Sequence, residues 1–149
     1  MTDISFYHLQ RQPLDRALPQ LLERVLASSM KALVLGDNPE LIAALNSSLW
    51  TYDPGSFLPH GAKKGSDAAL QPIFLTTDQE NPNRAEILVL VDGADHKDLG
   101  QFDRCLDMFD GNDSDAVAQA RLRWVAYKDA GHQVTYWQQN DAGKWESKA

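Results

Sequence analysis

The run ILVLV at residues 87–91 contains no polar residue and no alternation of polar with apolar types. Such a run suits a strand buried on both faces, the environment of a parallel sheet covered by helices. A second apolar run, KALVL at 31–35, stops at Gly36-Asp37-Asn38-Pro39, a cluster that turns the chain and caps a following helix. ISFYHL at 4–9, PIFLT at 72–76 and QVTYWQQ at 133–139 supply three further predicted strands, rich in β-branched and aromatic residues.

Helical patterns alternate with these strands. Leu18, Leu21, Leu22, Val25 and Leu26 predict a helix over 17–29, in which Pro19 fits only near the first turn. Leu41, Ile42, Leu45, Leu49 and Trp50 keep a 3.6-residue period until Tyr52-Asp53-Pro54-Gly55 ends it. The Pro- and Gly-rich stretch 51–71 reads as a loop. Beyond Asp92-Gly93, the spacing of Leu99, Phe102, Leu106 and Phe109 predicts a helix over 98–110 that carries Cys105, and another helix is expected over 113–130. The order implies right-handed crossovers, hence an α/β fold: a three-layer open, mostly parallel sheet with helices on both faces, Rossmann-like in layout. At 149 residues a single domain spanning 1–149 is expected, with the final ESKA (146–149) a disordered tail.

Composition narrows the function classes. With 21 acidic against 14 basic residues the formal charge is −7, so the averaged field repels phosphate backbones and strong direct binding of nucleic acid is not expected. One cysteine excludes an intramolecular disulfide and a multi-thiolate zinc site. No stretch reaches the roughly 20 apolar residues of a membrane span, and MTDISFYHLQRQ lacks the layout of a secretory signal, so a cytoplasmic location with no membrane partner is expected.

Chemical motifs are sparse. Neither predicted strand–helix turn carries G-x-G-x-x-G or G-x-x-x-x-G-K-[ST], so the layout comes without a nucleotide-binding fingerprint and no cofactor is implied. His8, His60, His96 and His132 show no i, i+4 pair, and no metal site is read. Asp92, Asp95 and His96 follow a strand and could serve an enzyme, yet Asp-Gly turns and helix caps use the same residues. Cys105 reads as a buried, inert thiol.

Two segments place aromatics where polar residues are usual. One is LWTYDPGSFLPHG at 49–61, with Trp50, Phe57, Pro59 and His60; aromatics in such a loop are typical anchors of protein interfaces. In the other, the helix at 115–130, Val117, Arg121, Trp124 and Lys128 fall in one stripe at 100° per residue, while Leu122 and Val125 are expected to meet the sheet. An indole flanked by cations offers apolar area for an inserted ring and charge for a carboxylate.

These blocks, with ISFYHL, ILVLVDG, ARLRWVAYKDAGH, TYW and GKWE, resemble the chi subunit of bacterial DNA polymerase III holoenzyme, collinearly from Ile4 to Trp145. The resemblance implies a noncatalytic clamp-loader accessory subunit that pairs with the psi subunit and holds the acidic, Pro-Phe-ending C-terminal tail of single-stranded DNA-binding protein. It assigns Trp50 and Phe57, with Pro59 and His60 beside them, to psi, and Val117, Arg121 and Trp124 to the tail. Val125 stands where the family carries lysine, and Lys128, one turn beyond Trp124, is the candidate replacement. A repair helicase in place of psi is the alternative partner.

Overall fold

The computed structural model describes residues 2–10, 14–51, 72–139 and 144–147, apart from the side chains of Trp50 and Thr51. Its elements in chain order are β1 (Asp3–Leu9), α1 (Leu14–Ala27), β2 (Ala32–Leu35), α2 (Pro39–Thr51), β3 (Ile73–Thr76), β4 (Ile87–Val91), β5 (Arg104–Asp110), α3 (Ser114–Asp129), β6 (Gln133–Gln139) and β7 (Trp145–Ser147). One sheet of seven strands runs in the order β3-β2-β4-β5-β1-β6-β7. All neighbours are parallel except the closing β6–β7 pair.

This is the expected three-layer α/β architecture. Ile87, Val89 and Val91 pack in the cluster containing α1 and α2, whereas Leu88 and Leu90 pack in the cluster containing α3. A strand facing two layers has no solvent face, which is why its sequence does not alternate. The layering follows from chain direction: β1 leads toward β2 and β3 at one edge, and β5 leads across β1 to β6 at the other. Right-handed crossovers running in opposite directions put their helices on opposite faces.

Several boundaries move. α1 begins at Leu14 and not 17, which leaves Pro19 in its second turn, buried on the apolar face. Asn38 caps α2 as expected, its Oδ1 accepting from the Glu40 amide at 2.9 Å. Glu146 and Ser147 belong to β7, paired with Gln138 and Trp137, so the sheet extends into the stretch expected to be a free tail. The predicted loop at 51–71 lies, beyond the backbone of Thr51, almost wholly outside the described residues.

The larger correction concerns 98–110. Only a single 3-10 turn, Leu99–Gln101, is helical there, and 104–110 form β5, the strand between β4 and β1. Leu106 and Met108 face the α1/α2 layer, and Cys105 and Phe109 face α3. Asp107, 1% exposed, interrupts what would otherwise be an apolar run. Its carboxylate accepts from Arg123 Nε at 2.7 Å and Nη2 at 3.0 Å, a two-pronged pair reaching down from α3. Burial raises the Asp107 carboxyl above its ordinary range, against the opposing pull of those bonds. Cys105 is thus a strand residue, and burial pushes its thiol well above the usual value, which leaves it inert.

The turn from β5 to α3 is shaped by a close approach. A Cβ on Gly111 would overlap the His8 ring, so glycine is required there. His8 is 8% exposed and hydrogen-bonds through Nδ1 to the Tyr136 hydroxyl. Burial holds its imidazole below the ordinary value; a backbone bond at Gly111 and Asp110 oppose this, and the Arg121 charge adds to it.

Two outcomes follow from these buried groups. Arg123→Met strands a buried carboxylate and should cost about 3–5 kcal/mol in urea unfolding, while the Asp107→Leu, Arg123→Met double variant should recover most of that loss. A single-variant loss below about 1 kcal/mol, the value of an exposed pair, would show that the pair carries no such constraint. For His8, whose folded-state value is depressed, the unfolded chain takes up the proton first as pH falls. Its contribution is present above the unfolded value of about 6.5 and is lost as pH drops through the folded one. His8→Gln should flatten the fall in urea midpoint between about pH 7 and pH 5, and unchanged slopes would clear His8 of that role.

Candidate functional site

α3 owes its start to Asp113, whose side chain accepts from the Asp115 and Ala116 amides. From there the helix lies over β5, β1 and β6. Ala120 and Tyr127 are buried against the sheet, Arg123 reaches Asp107, and the Tyr127 hydroxyl donates to Asp95 at 2.9 Å. This rotation leaves a cavity of about 220 Å³ along one flank, lined by Phe6, Phe109, Val117, Ala120, Arg121, Trp124 and Tyr136.

The cavity is an aromatic box. Trp124 meets Phe6 edge-on at 5.7 Å between ring centroids and Tyr136 at 6.1 Å, and Phe6 meets Phe109 at 6.4 Å. Phe6 and Tyr136 are direct partners in the β1–β6 register. Arg121 is exposed on the rim. Burial raises the Tyr136 hydroxyl and the Arg121 charge pulls it back, so the guanidinium lies within electrostatic reach of the far wall. A dry cavity of about 150 Å³ suffices for benzene. This one therefore admits an aromatic ring with a cation at its mouth.

Three of the predicted residues, Val117, Arg121 and Trp124, converge on this cavity. Lys128 is exposed and is not among its lining residues. Trp124 is half-buried, packed against the sheet as a wall of the cavity, and does not stand between two cations on the surface. Leu122 and Val125, expected to meet the sheet, are 65% and 55% exposed. The sheet-facing angle is taken by Ala120, Arg123 and Tyr127, because the buried Asp107 demands a cation on that side. Phe6, Phe109 and Tyr136 went unpredicted as site residues. Phe6 and Tyr136 carried only a generic strand signal, and Phe109 was assigned to a helix. Of the candidate residues in 49–61, Trp50 lies by its backbone in the last turn of α2, while Phe57, Pro59 and His60 lie outside the described residues.

The other candidate chemistry does not assemble. Asp92 and Gly93, at φ 54° and 78°, form the turn after β4. Asp95 is engaged by Tyr127, and His96 is buried edge-on against Phe102 with Nδ1 accepting from the Asp98 amide at 3.0 Å. No grouping of three or more His, Cys, Asp or Glu suited to a metal occurs among the described residues, and none of their helices is long and apolar enough to cross a membrane. A larger crevice of about 520 Å³ opens at the carboxyl ends of β1 and β5, beside the N-termini of α1 and α2, where such sheets hold nucleotides. Its lining includes Asp92 and Asp110, whose charges oppose a phosphate.

Comparison with known proteins bears on the same elements. Residues 1–135 match the family described as DNA polymerase III chi subunit, HolC. A protein of Rickettsia prowazekii (strain Madrid E) named "Probable DNA polymerase III subunit chi" is 32% identical over 109 residues, covering 73% of this chain and 66% of that protein. The matched stretch thus spans slightly less than two thirds of the relative's own length. Since the family match takes in residues 1–135, from β1 through α3 into β6, the chain belongs to the DNA polymerase III chi subunit family.

Proposed function

We propose that this chain is a noncatalytic accessory subunit of the replicative polymerase, bridging the clamp loader, through psi, to the C-terminal tail of single-stranded DNA-binding protein. The observation that carries the tail-binding half is the aromatic box with Arg121 at its mouth. A tail ending in proline and phenylalanine presents a ring and a terminal carboxylate a few ångströms apart, and the box and Arg121 offer the complement. Burying the ring is worth about 1.5–3 kcal/mol and a charge-assisted hydrogen bond about 1.5–3 kcal/mol. Set against the cost of ordering a flexible peptide, that sum fits modest affinity.

The acidic balance of the chain shapes this contact. A protein of charge −7 repels an acidic tail at long range, so binding depends on local, partly desolvated groups within about 8 Å, the screening distance at physiological salt. Lys128, exposed one turn beyond Trp124, supplies a second local cation in the region where Val125 has removed one. The psi half of the proposal rests on Trp50, Phe57, Pro59 and His60, which the family resemblance assigns to that partner.

Calorimetric titration with a synthetic acidic peptide ending in Pro-Phe, alongside one lacking the phenylalanine, tests the first half. Arg121→Ala should weaken binding about tenfold or more, a loss of about 1.4 kcal/mol; a change under about twofold places the site elsewhere. Lys128→Ala should weaken it about two- to fivefold at low salt, an effect that fades at high salt as screening sets in; unchanged binding removes Lys128 from the site. For the second half, Trp50→Ala and Phe57→Ala should abolish co-purification with psi while leaving the peptide titration intact. Retained psi binding in both variants would overturn that assignment.

A further inference from the structure

On the opposite face of the sheet lies a second hollow, of about 200 Å³, that the aromatic box does not touch. Met30, Ile87 and Leu106 give it apolar walls; Tyr7 of β1, Arg24 in the last turn of α1 and Arg104 at the start of β5 give it polar ones. Neither arginine side chain has an ion pair or hydrogen bond among the described residues, although carboxylates outnumber cations 21 to 14 in the chain. The Tyr7 hydroxyl likewise has no hydrogen bond there, and its ring is held edge-on by Trp145 at 5.0 Å.

Both guanidiniums line the same hollow, so it carries two cations beside its apolar walls, with Asp3, across from Arg104 in the β1–β5 register, the nearest carboxylate along that pair. Both arginines act on the same hydroxyl. Burial raises Tyr7 above its ordinary value, and the charges on Arg104 and Arg24 pull it back, with Asp3 opposing them. Three donors thus surround one apolar wall, the arrangement that recognises a carboxylate attached to something greasy. The volume limits the ligand to a compact body, one ring or a short branched chain.

We infer that this hollow is a binding site for an organic anion made of one carboxylate on a compact apolar body. Arg24 and Arg104 hold the charge, and Met30, Ile87 and Leu106 enclose the body. The site is independent of the tail pocket, since the two lie in different layers and share no residue.

The test uses full-length protein carrying Arg121→Ala, so that failure of the tail reading cannot affect it. Titration with 3-phenylpropionate should give saturable NMR shifts at the Met30 methyl and Ile87 methyls. The neutral, isosteric 3-phenylpropionamide should bind about tenfold more weakly or worse, the loss of one charge-assisted contact. Arg24→Ala with Arg104→Ala should produce a similar loss; both side chains are exposed, so the variant should fold, and unchanged methyl shifts at Val89 and Leu90 would verify this. A peptide with a free C-terminal phenylalanine, run beside its amidated form, separates the sources. Shifts at the same methyls with the free form alone extend the site to protein termini, and their absence confines it to small acids. Equal binding of acid and amide, no effect of the double variant, or no saturable shift at Met30 and Ile87 would each overturn the inference.

Discussion

The pair between Asp107 and Arg123 is the constraint on which the α3 layer depends. β5 lies between β4 and β1, and Asp107 sits at the middle of that strand, almost wholly excluded from water. A carboxylate in that place is tolerable only with a partner of good geometry. The partner comes from α3, which therefore can adopt only the rotation that points Arg123 at β5. With Arg123 fixed, Ala120 and Tyr127, three residues before and four after, must also face the sheet, and Tyr127 secures the arrangement through Asp95. Val117 and Trp124 are left on one flank and Arg121 on its outer edge, which defines the aromatic box. An apolar residue at 107 would pack with less penalty but would remove the directional tie, leaving the rotation of α3 to its apolar contacts and the Tyr127–Asp95 bond.

That dependence also explains which parts of the molecule were legible in the sequence. ILVLV and KALVL announced a parallel, doubly covered sheet, because a strand with two buried faces has one reading. RCLDMFD did not, because Asp107 breaks the apolar run and its compensating charge lies 16 residues further on. With that partner out of view, Leu99, Phe102, Leu106 and Phe109 fell at intervals of three and four and passed for a helix. The same hidden pair sets the rotation of α3: apolar character alone turns Leu122 and Val125 toward the sheet, whereas Asp107 draws Arg123 there and leaves both exposed. β7, with three residues, is too short to leave a periodic signal.

The candidate site divides along the same line. Val117, Arg121 and Trp124 share one helix face, so local periodicity finds them. Phe6, Phe109 and Tyr136 come from three strands whose adjacency is a property of the sheet order, and nothing within any one segment marks them as a group. The resemblance assigns roles only to residues on the helix and the loop, although ISFYHL and TYW contain Phe6 and Tyr136, so these walls of the box emerge only from the fold.

On the proposed reading, the layering has a mechanical consequence. Trp50 lies in the last turn of α2 in one layer of helices, while Arg121 and Trp124 stand on α3 in the other, with the sheet between them. A partner contacting the end of α2 and a peptide seated beside α3 would meet opposite faces of the sheet. Neither needs to move the sheet, whose central strands are close-packed on both faces and resist deformation. Two separate, modest contacts on a rigid body then act together through effective concentration and need no conformational signal between them.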